Sequence, residues 1–335
     1  MSAAFQPPRA AEALIDVVPY EEKYRQLWDD FVAQSNQGTL FHTRAFLAYH
    51  PPDRFTDASL LFFKKEKLLA VFPATNLRVE ATELLRSHPG ASFGGLVTTL
   101  EITMRELEHL IGQLLAYSRS QQYSAIELTL PPHIYFSHAS QELEFLLYRA
   151  GFRYHQRELT HFLDLRSFNQ NFTEFFSAEF NRKIRRARQL GVTTVRECDD
   201  LPQFYHIIEK NLQDKHKTSP VHTLKELFDL KQRLPERVRL FAAYVQDKMI
   251  AGILLFICNA QTALAFYISQ LAEYQQYRPV NLLCYEAAQW CAEQDLVYFD
   301  FGTSTLRGEI NWGLVDFRQA AGAQAAFRDR MRLEF

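Results

Sequence analysis

The chain has 335 residues, 47% of them hydrophobic and 23% charged, which is the composition of a globular protein of two compact domains. A formal net charge of −2 excludes a protein that coats nucleic acid or an anionic membrane by bulk charge. No apolar run approaches the roughly 18 residues of a membrane span, the N-terminal stretch lacks a signal-peptide core, and Cys198, Cys258, Cys284 and Cys291 lack metal-ligand spacing. Together these features predict reduced thiols, no transmembrane segment, no bound metal and a cytoplasmic location.

Residues 1–13 read as a loose tail. Tyr24, Leu27, Trp28, Phe31 and Val32 recur at helical spacing, and a short second helix is expected near 45–50. Strands at 59–63 and 68–74 flank Lys64-Lys65-Glu66-Lys67, a hairpin with a charged turn. Thr103 with Glu106 three residues on is a capping box that opens a helix. A strand at 125–130 stops at Pro131-Pro132, a helix at 142–150 breaks at Gly151, and a strand follows at 161–165.

The second half repeats this order. Helices are expected at 172–190 and 201–212, then a hairpin of 239–245 and 249–258 around Gln246-Asp247-Lys248. A strand at 263–269 leads through a polar loop to Arg278 and Pro279, and proline suits a first helical turn. Val280, Leu283, Cys284, Ala287, Trp290 and Cys291 form one face of the helix that follows, and a strand at 296–301 ends at Gly302. Gly151 precedes the strand at 161–165 much as Gly322 precedes a strand at 331–335. Self-similarity at half the chain length predicts duplication of one unit, with domains at 14–166 and 167–335.

Helices, mainly antiparallel strands and a strand–helix–strand crossover do not make a doubly wound parallel pattern. Three segments carry a family resemblance: Asn181-Arg-Lys-Ile-Arg-Arg-Ala-Arg-Gln-Leu-Gly-Val192, Tyr298-Phe-Asp-Phe-Gly302 and Gly313-Leu-Val-Asp-Phe-Arg318. They resemble the second half of FemAB-like proteins, which carry two copies of the GCN5-related N-acetyltransferase (GNAT) fold. The resemblance covers most of residues 170–335 and, more loosely, residues 20–165. It implies an α/β fold of α+β type, two tandem GNAT-like domains with mainly antiparallel mixed sheets. Acceptor recognition is expected in the first domain, donor binding and catalysis in the second.

The implied activity is transfer of an acyl group from acyl-CoA to an amine on a cell-envelope, polysaccharide or sugar-nucleotide precursor. Aminoacyl-tRNA is the alternative donor, acting on a peptidoglycan precursor, and a non-catalytic binding protein is a third reading. One departure bears on the donor. The superfamily loop Gln/Arg-x-x-Gly-x-Gly/Ala corresponds here to Gln275-Gln-Tyr-Arg-Pro-Val-Asn281, without glycines that would let the backbone wrap a pyrophosphate.

Asp300 is the first candidate for a base or a substrate-orienting group, with a turn cap at Gly302 as the plainer reading; Glu309 is the second. Gly90, Gly94 and Gly95 lie within six residues, and with Ser87, His88 and Ser92 they suggest a loop closing on a ligand, His88 being an alternative base. His42 has a weaker case. Tyr277, Arg278 and Asn281 at the helix start are candidates for phosphate or ribose, and alternation places Tyr267 and Ser269 on one side of the preceding strand. Arg185, in a basic run from Arg182 to Arg188, is a phosphate candidate, although Ile184, Ala187 and Leu190 facing inward also fit a solvated basic face. Lys217, beside His216, is a substrate candidate, and His216 and His222 do not make a zinc pair. Ser304, Arg307, Asn311, Trp312 and Arg318 complete the rim of the expected cleft. No spacing supports a covalent mechanism, and oligomeric state is left open.

Overall fold

A computed structural model describes residues 15–80, 82–167 and 175–335. The expected tail, and residues 172–174 of the helix expected from 172, lie outside the described residues. The chain divides into two compact units, one of residues up to Glu158 together with Phe327–Phe335, the other Leu159–Ala326.

The first unit holds a four-stranded sheet of β1 (Ile15–Pro19), β3 (Leu60–Lys64), β4 (Lys67–Phe72) and β7 (Val97–Thr98), in that order. The expected charged hairpin is β3–β4, with Lys65 at φ 56° in its turn. A second sheet contains β2 (Thr56–Asp57), β5 (Ala74–Val79), β6 (Thr82–Ser87) and β8 (Ala125–Thr129). α3 (Met104–Ser120), opened by the Thr103–Glu106 capping box, precedes β8, which runs parallel to β6. The end of β17 (Gln324–Glu334) pairs antiparallel with β8, Arg330 opposite Thr129, and this pairing places residues 327–335 in the first unit. The short helices α1 (Arg25–Gln34), α2 (Arg44–Leu47) and α4 (Glu142–Arg149) complete it.

The second unit is built on strands in the order β10 (Val192–Val195), β11 (Val238–Val245), β12 (Lys248–Ile257), β13 (Thr262–Gln270), β14 (Tyr298–Thr303) and the end of β9 (Arg153–Asp164). All pair antiparallel except β13 and β14. α5 (Ala178–Gln189) and α8 (Pro279–Glu293) cover one face. Phe180, Ile184 and Ala187 meet Leu283, Ala287, Phe241 and Ile253 there in one buried cluster. α6 (Leu201–His216) lies on the other face, and α7 (Leu224–Arg233) follows it. Side chains alternate along β12, so Ile253 faces α8 while Gly252 faces α6. A Cβ on Gly252 would stand 2.4 Å from the Phe204 ring, so the helix rests on the strand backbone itself. Gly252→Ala is expected to cost about 1–3 kcal/mol of stability by overpacking, read as a lower urea midpoint at unchanged slope.

Both units therefore contain a parallel strand pair bridged in sequence by one long helix, within otherwise antiparallel sheets. Among the described residues, no helix is long and apolar enough to cross a membrane, and no cluster of His, Cys, Asp or Glu is arranged to hold a metal.

Candidate functional site

β13 and β14 pair over only three positions, Thr262 with Tyr298, Ala263 with Phe299 and Leu264 with Asp300. Beyond Leu264 they part. The separation coincides with an irregularity on the other side of β13, where Leu254 pairs Tyr267 and Leu255 pairs Ala265, leaving Phe266 unopposed. Such a bulge bends a strand and re-aims its side chains, and it frees backbone groups from the ladder. Phe266 and Tyr267 accordingly both meet the His222 ring.

The opening holds a cavity of about 400 Å³. Asn211, Phe266 and Ser269 line it from the α6 side, and Val280, Asn281 and Phe317 from the α8 side. It is thus a slot that passes between the parted strands from one face of the sheet to the other. Arg278 and Arg318 are the only ionisable residues lining it, and no carboxylate or imidazole does, among the described residues. Its walls donate hydrogen bonds and carry positive charge.

Three features make the α8 end suited to an anion. Arg278, the N-cap of α8, has φ 56° and ψ 39°, and its donor-only guanidinium makes no cap bond, so no side chain of the N-cap accepts from the N–H groups of the first turn. Pro279 sets the first turn, and the N–H groups after it point outward at the positive end of the helix dipole. Asn281, one turn in, is 5% exposed, and its Nδ2 has no hydrogen-bond partner. A buried amide donor without an acceptor costs about 1–3 kcal/mol, so an acceptor brought by a ligand is favoured there. Arg278 also stands at the first glycine position of the superfamily loop. Its left-handed backbone is the conformation that glycine adopts freely, held here by arginine at a cost of about 1–2 kcal/mol.

The floor is a buried network. Arg318, from α9 (Trp312–Ala320), is 6% exposed and donates to the carbonyls of Gly302 (2.8 Å) and Phe301 (2.7 Å) and to the Ser304 hydroxyl. Burial pulls its pKa down to about 10, opposed by the neighbouring Asp300 carboxylate and the Cys284 thiol, so it is a cation at neutral pH. The Ser304 hydroxyl lies 2.7 Å from His161 Nδ1, and burial, then Arg318, lowers the His161 pKa. Asp300 is 2% exposed; its Oδ1 accepts from the Gly302 N–H (2.8 Å) and from the Thr160 hydroxyl. It fixes the turn at the end of β14 behind the cavity wall and does not line the cavity.

The other expected residues separate clearly. Ser269, Arg278, Asn281 and Arg318 come together in the slot, with Ser304 beneath it. Ser269 accepts from Asn211 Nδ2 at 3.0 Å. Tyr267 lies beside the slot with its hydroxyl 3.1 Å from His222 Nδ1, and burial raises its pKa to about 12. Tyr277 is half-buried against Tyr274. Glu309 is exposed on the hairpin of β15 (Thr305–Leu306) and β16 (Glu309–Ile310). Asn311 is exposed and caps α9, accepting from the Leu314 N–H at 3.1 Å. Arg185 and Lys217 are exposed, Lys217 ending α6 at φ 50°.

Ser87, His88, Ser92 and Gly94 belong to the first unit and organise a different opening. β6 and β8 also pair over three positions, Leu84 with Ala125 through Arg86 with Glu127. There the loop after β6 fills the gap: the Ser87 hydroxyl accepts from the Thr129 N–H (2.9 Å) and the Gly94 N–H donates to the Thr129 carbonyl (2.8 Å). The Ser92 carbonyl accepts from Arg328. His88 is buried and stacked on His50, ring centroids 5.1 Å apart, and a Cβ on Gly90 would stand 2.1 Å from the His50 ring. His42 is fully buried, with Nδ1 accepting from the Thr39 N–H and Nε2 donating to the Gly94 carbonyl, each at 3.2 Å. The close glycines thus serve packing of the loop onto its own unit.

Asn211, Thr160 and His161 entered the site without a local signal, being 58, 140 and 143 residues from their partners Ser269, Asp300 and Ser304.

Residues 175–309 match the family model of the acetyltransferase (GNAT) domain. That span runs from the start of α5 through β16 and includes the α8 start and both parted strands. Among curated protein sequences none matches the chain. Three solved structures are similar over nearly the whole length. FemX is 12% identical, with 96% of this chain and 97% of that chain covered at a TM-score of 0.72. A tandem GNAT protein from the clavulanic acid biosynthesis pathway is 10% identical, covering 96% and 98% at 0.57. L-PGS from Bacillus licheniformis is 10% identical, covering 97% and 93% at 0.60. The expected architecture holds: the fold is that of the GNAT superfamily, FemAB-like and in tandem, α/β with mostly antiparallel sheets.

Proposed function

We propose that the chain is an N-acyltransferase that moves the acyl group of acyl-CoA to an amine on a cell-envelope, polysaccharide or sugar-nucleotide precursor. The observation that carries this reading is the slot between β13 and β14, with the uncapped start of α8 and the unpartnered amide of Asn281 at one end. The pyrophosphate of the donor lies at the α8 N-terminus beside Arg278, and its thioester arm runs between the parted strands. Backbone N–H groups of β13 past the bulge receive the carbonyl oxygen as negative charge develops on it. The amine enters as the free base and attacks the carbonyl carbon. The N–C bond forms, the C–S bond breaks, the nitrogen loses its proton to water in the open slot, and the departing thiolate is protonated. Arg318 and Asp300 act as positioning residues, holding the end of β14 away from β13 through its carbonyls and the Gly302 turn.

A thermal-shift titration with acetyl-CoA and longer acyl-CoAs tests this. A ligand at about 100 times its dissociation constant stabilises by roughly 2.7 kcal/mol. A clear upward shift is expected, and its absence with every thioester would remove the donor assignment. Asn281→Leu is expected to abolish most of that shift while leaving the free protein as stable as wild type or more so, since it removes an unsatisfied buried donor. A variant that is less stable yet binds the thioester normally would assign Asn281 to the scaffold alone.

One observation favours aminoacyl-tRNA as donor instead. Arg182, Arg185 and Arg186 are exposed together on α5, a basic row suited to phosphates. That reading predicts salt-sensitive binding of aminoacylated tRNA, weakened by Arg185→Ala/Arg186→Ala, without an acyl-CoA shift.

A further inference from the structure

Phe204, Ile207 and Asn211 recur at offsets of three and seven, which puts them on one face of α6. Gly252 lets that face come down on the sheet, since Phe204 occupies the space a side chain at Gly252 would need. Ser269 is the residue of β13 paired with Gly252 across the ladder. The close approach brings its hydroxyl to 3.4 Å from the Ile207 carbonyl and 3.0 Å from Asn211 Nδ2.

These contacts fix which way the Asn211 amide points. A carbonyl only accepts and a serine hydroxyl has one proton, so that proton goes to Ile207 and the Ser269 oxygen is left to accept. The arm of Asn211 that meets it is therefore the donor, Nδ2, and Oδ1 is turned away from Ser269. Asn211 is half-buried and lines the slot. Among the described residues no group donates to its Oδ1, which stays open to solvent. The two sides of the slot thus differ in kind. Asn281 Nδ2, Arg278 and the first N–H groups of α8 offer donors at one end, and Asn211 offers an acceptor on the α6 side.

We propose that Asn211 Oδ1 receives an N–H of the attacking amine, and that the acceptor nitrogen is a primary amine. This rests on the acyl-transfer reading, in which the donor enters from the α8 start and leaves the α6 side to the acceptor. One N–H held by Oδ1 fixes where the nitrogen lone pair points. As the N–C bond forms, the nitrogen becomes positive and its N–H a stronger donor, so the contact tightens toward the tetrahedral intermediate. An amide oxygen is too weak a base to take a proton. The second N–H loses its proton to water as the C–S bond breaks, and the first stays on the amide product. A secondary amine has one proton for both tasks and is disfavoured.

The test uses two mimics of the joined substrates, coenzyme A carrying –CH2–CO–NH–propyl or –CH2–CO–N(CH3)–propyl on its sulfur. The first keeps the N–H that a primary amine leaves in the product, and the second has none. Both are titrated into wild type, Asn211→Leu and Asn211→Asp. Each result is the ratio of the two dissociation constants in one protein, so a general change in the slot cancels. The preference for the N–H form is expected to be about fivefold greater in wild type than in Asn211→Leu, the worth of one neutral hydrogen bond. Asn211→Asp keeps an acceptor oxygen and is expected to retain the wild-type preference. An equal preference in wild type and Asn211→Leu, or loss of the preference in Asn211→Asp as well, would overturn the assignment while leaving the donor site in place. If neither mimic nor free coenzyme A binds wild type, the acyl-CoA reading falls and the assignment with it.

Discussion

Arg318→Met is expected to destabilise the chain by about 3–5 kcal/mol, the cost of breaking a buried charged network by removing one member. The guanidinium supplies donors to the carbonyls of Phe301 and Gly302 and to Ser304, all at the end of β14. Methionine fills comparable volume but supplies none, so the acceptors remain buried and unsatisfied. Asp300 loses the cation that accompanies it. Lysine in the same place keeps the charge yet cannot present a planar fork to two carbonyls, and is expected to recover only part of the loss. Because Asp300 belongs to the same network, Asp300→Asn combined with Arg318→Met should cost less than the two changes summed. Urea unfolding of the four proteins measures this. A single Arg318→Met cost below about 1 kcal/mol would show that the network does not hold β14.

Acid is expected to unfold the protein through its first unit. His42 is held neutral by its surroundings: Nδ1 accepts from Thr39 and Nε2 donates to Gly94, which leaves no room for a second proton. Burial lowers its pKa to about 4. Burial, then the adjacent His50, lowers that of His88 to about 3. In the unfolded chain both return to about 6.5. Between these values the unfolded state binds protons that the folded state refuses, so stability is full above about pH 6.5 and falls as pH drops through that window. The loss is about 3 kcal/mol from His42 alone by pH 4, and His88 adds to it. Carboxylates titrate over part of the same range, so the informative quantity is a difference between proteins. His42→Gln can keep both hydrogen bonds without a titrating ring. The fall in stability from pH 7.5 to pH 4.5 should shrink by about 2 kcal/mol in that variant. An unchanged fall would mean that His42 is protonated in the folded state.

Those two sites also show how far sequence alone reaches. The helix at 279–293 and the hairpin around Gln246-Asp247-Lys248 were legible because their signals are local: one apolar helical face behind Pro279, and two apolar runs around a polar turn. The turn-capping reading of Asp300 was equally local, and the Gly302 N–H bond is its form in the structure. Strands β5 and β6 gave no comparable signal. Ala74-Thr-Asn-Leu-Arg-Val and Thr82-Glu-Leu-Leu-Arg-Ser mix polar and apolar residues without strict alternation, and pairing with each other holds them as strands. α7 had a readable start, the Thr223–Glu226 capping box, hidden behind a segment that reads as loop.

Arg278 is more instructive. The absence of glycine there looks like loss of a donor loop, yet the left-handed backbone that glycine would provide is retained. A sequence records which residue is present and not which strain the fold imposes on it. Asn281 could be placed at the helix start from sequence, but that its amide lacks a partner depends on what surrounds it. The pairing of Asn211 with Ser269 depends likewise on how α6 lies across β13.

Calorimetric titration of acetyl-CoA into wild type and into Arg278→Glu tests the central claim most directly. Arg278 leaves the α8 start uncapped, and glutamate there would place an anion where the donor's own anion is expected. Saturable heat with one site per chain is predicted for wild type, weakened roughly tenfold or more in the variant while its unfolding midpoint stays close to wild type. No saturable heat in wild type, or one dissociation constant for both proteins, would contradict a donor site between β13 and β14.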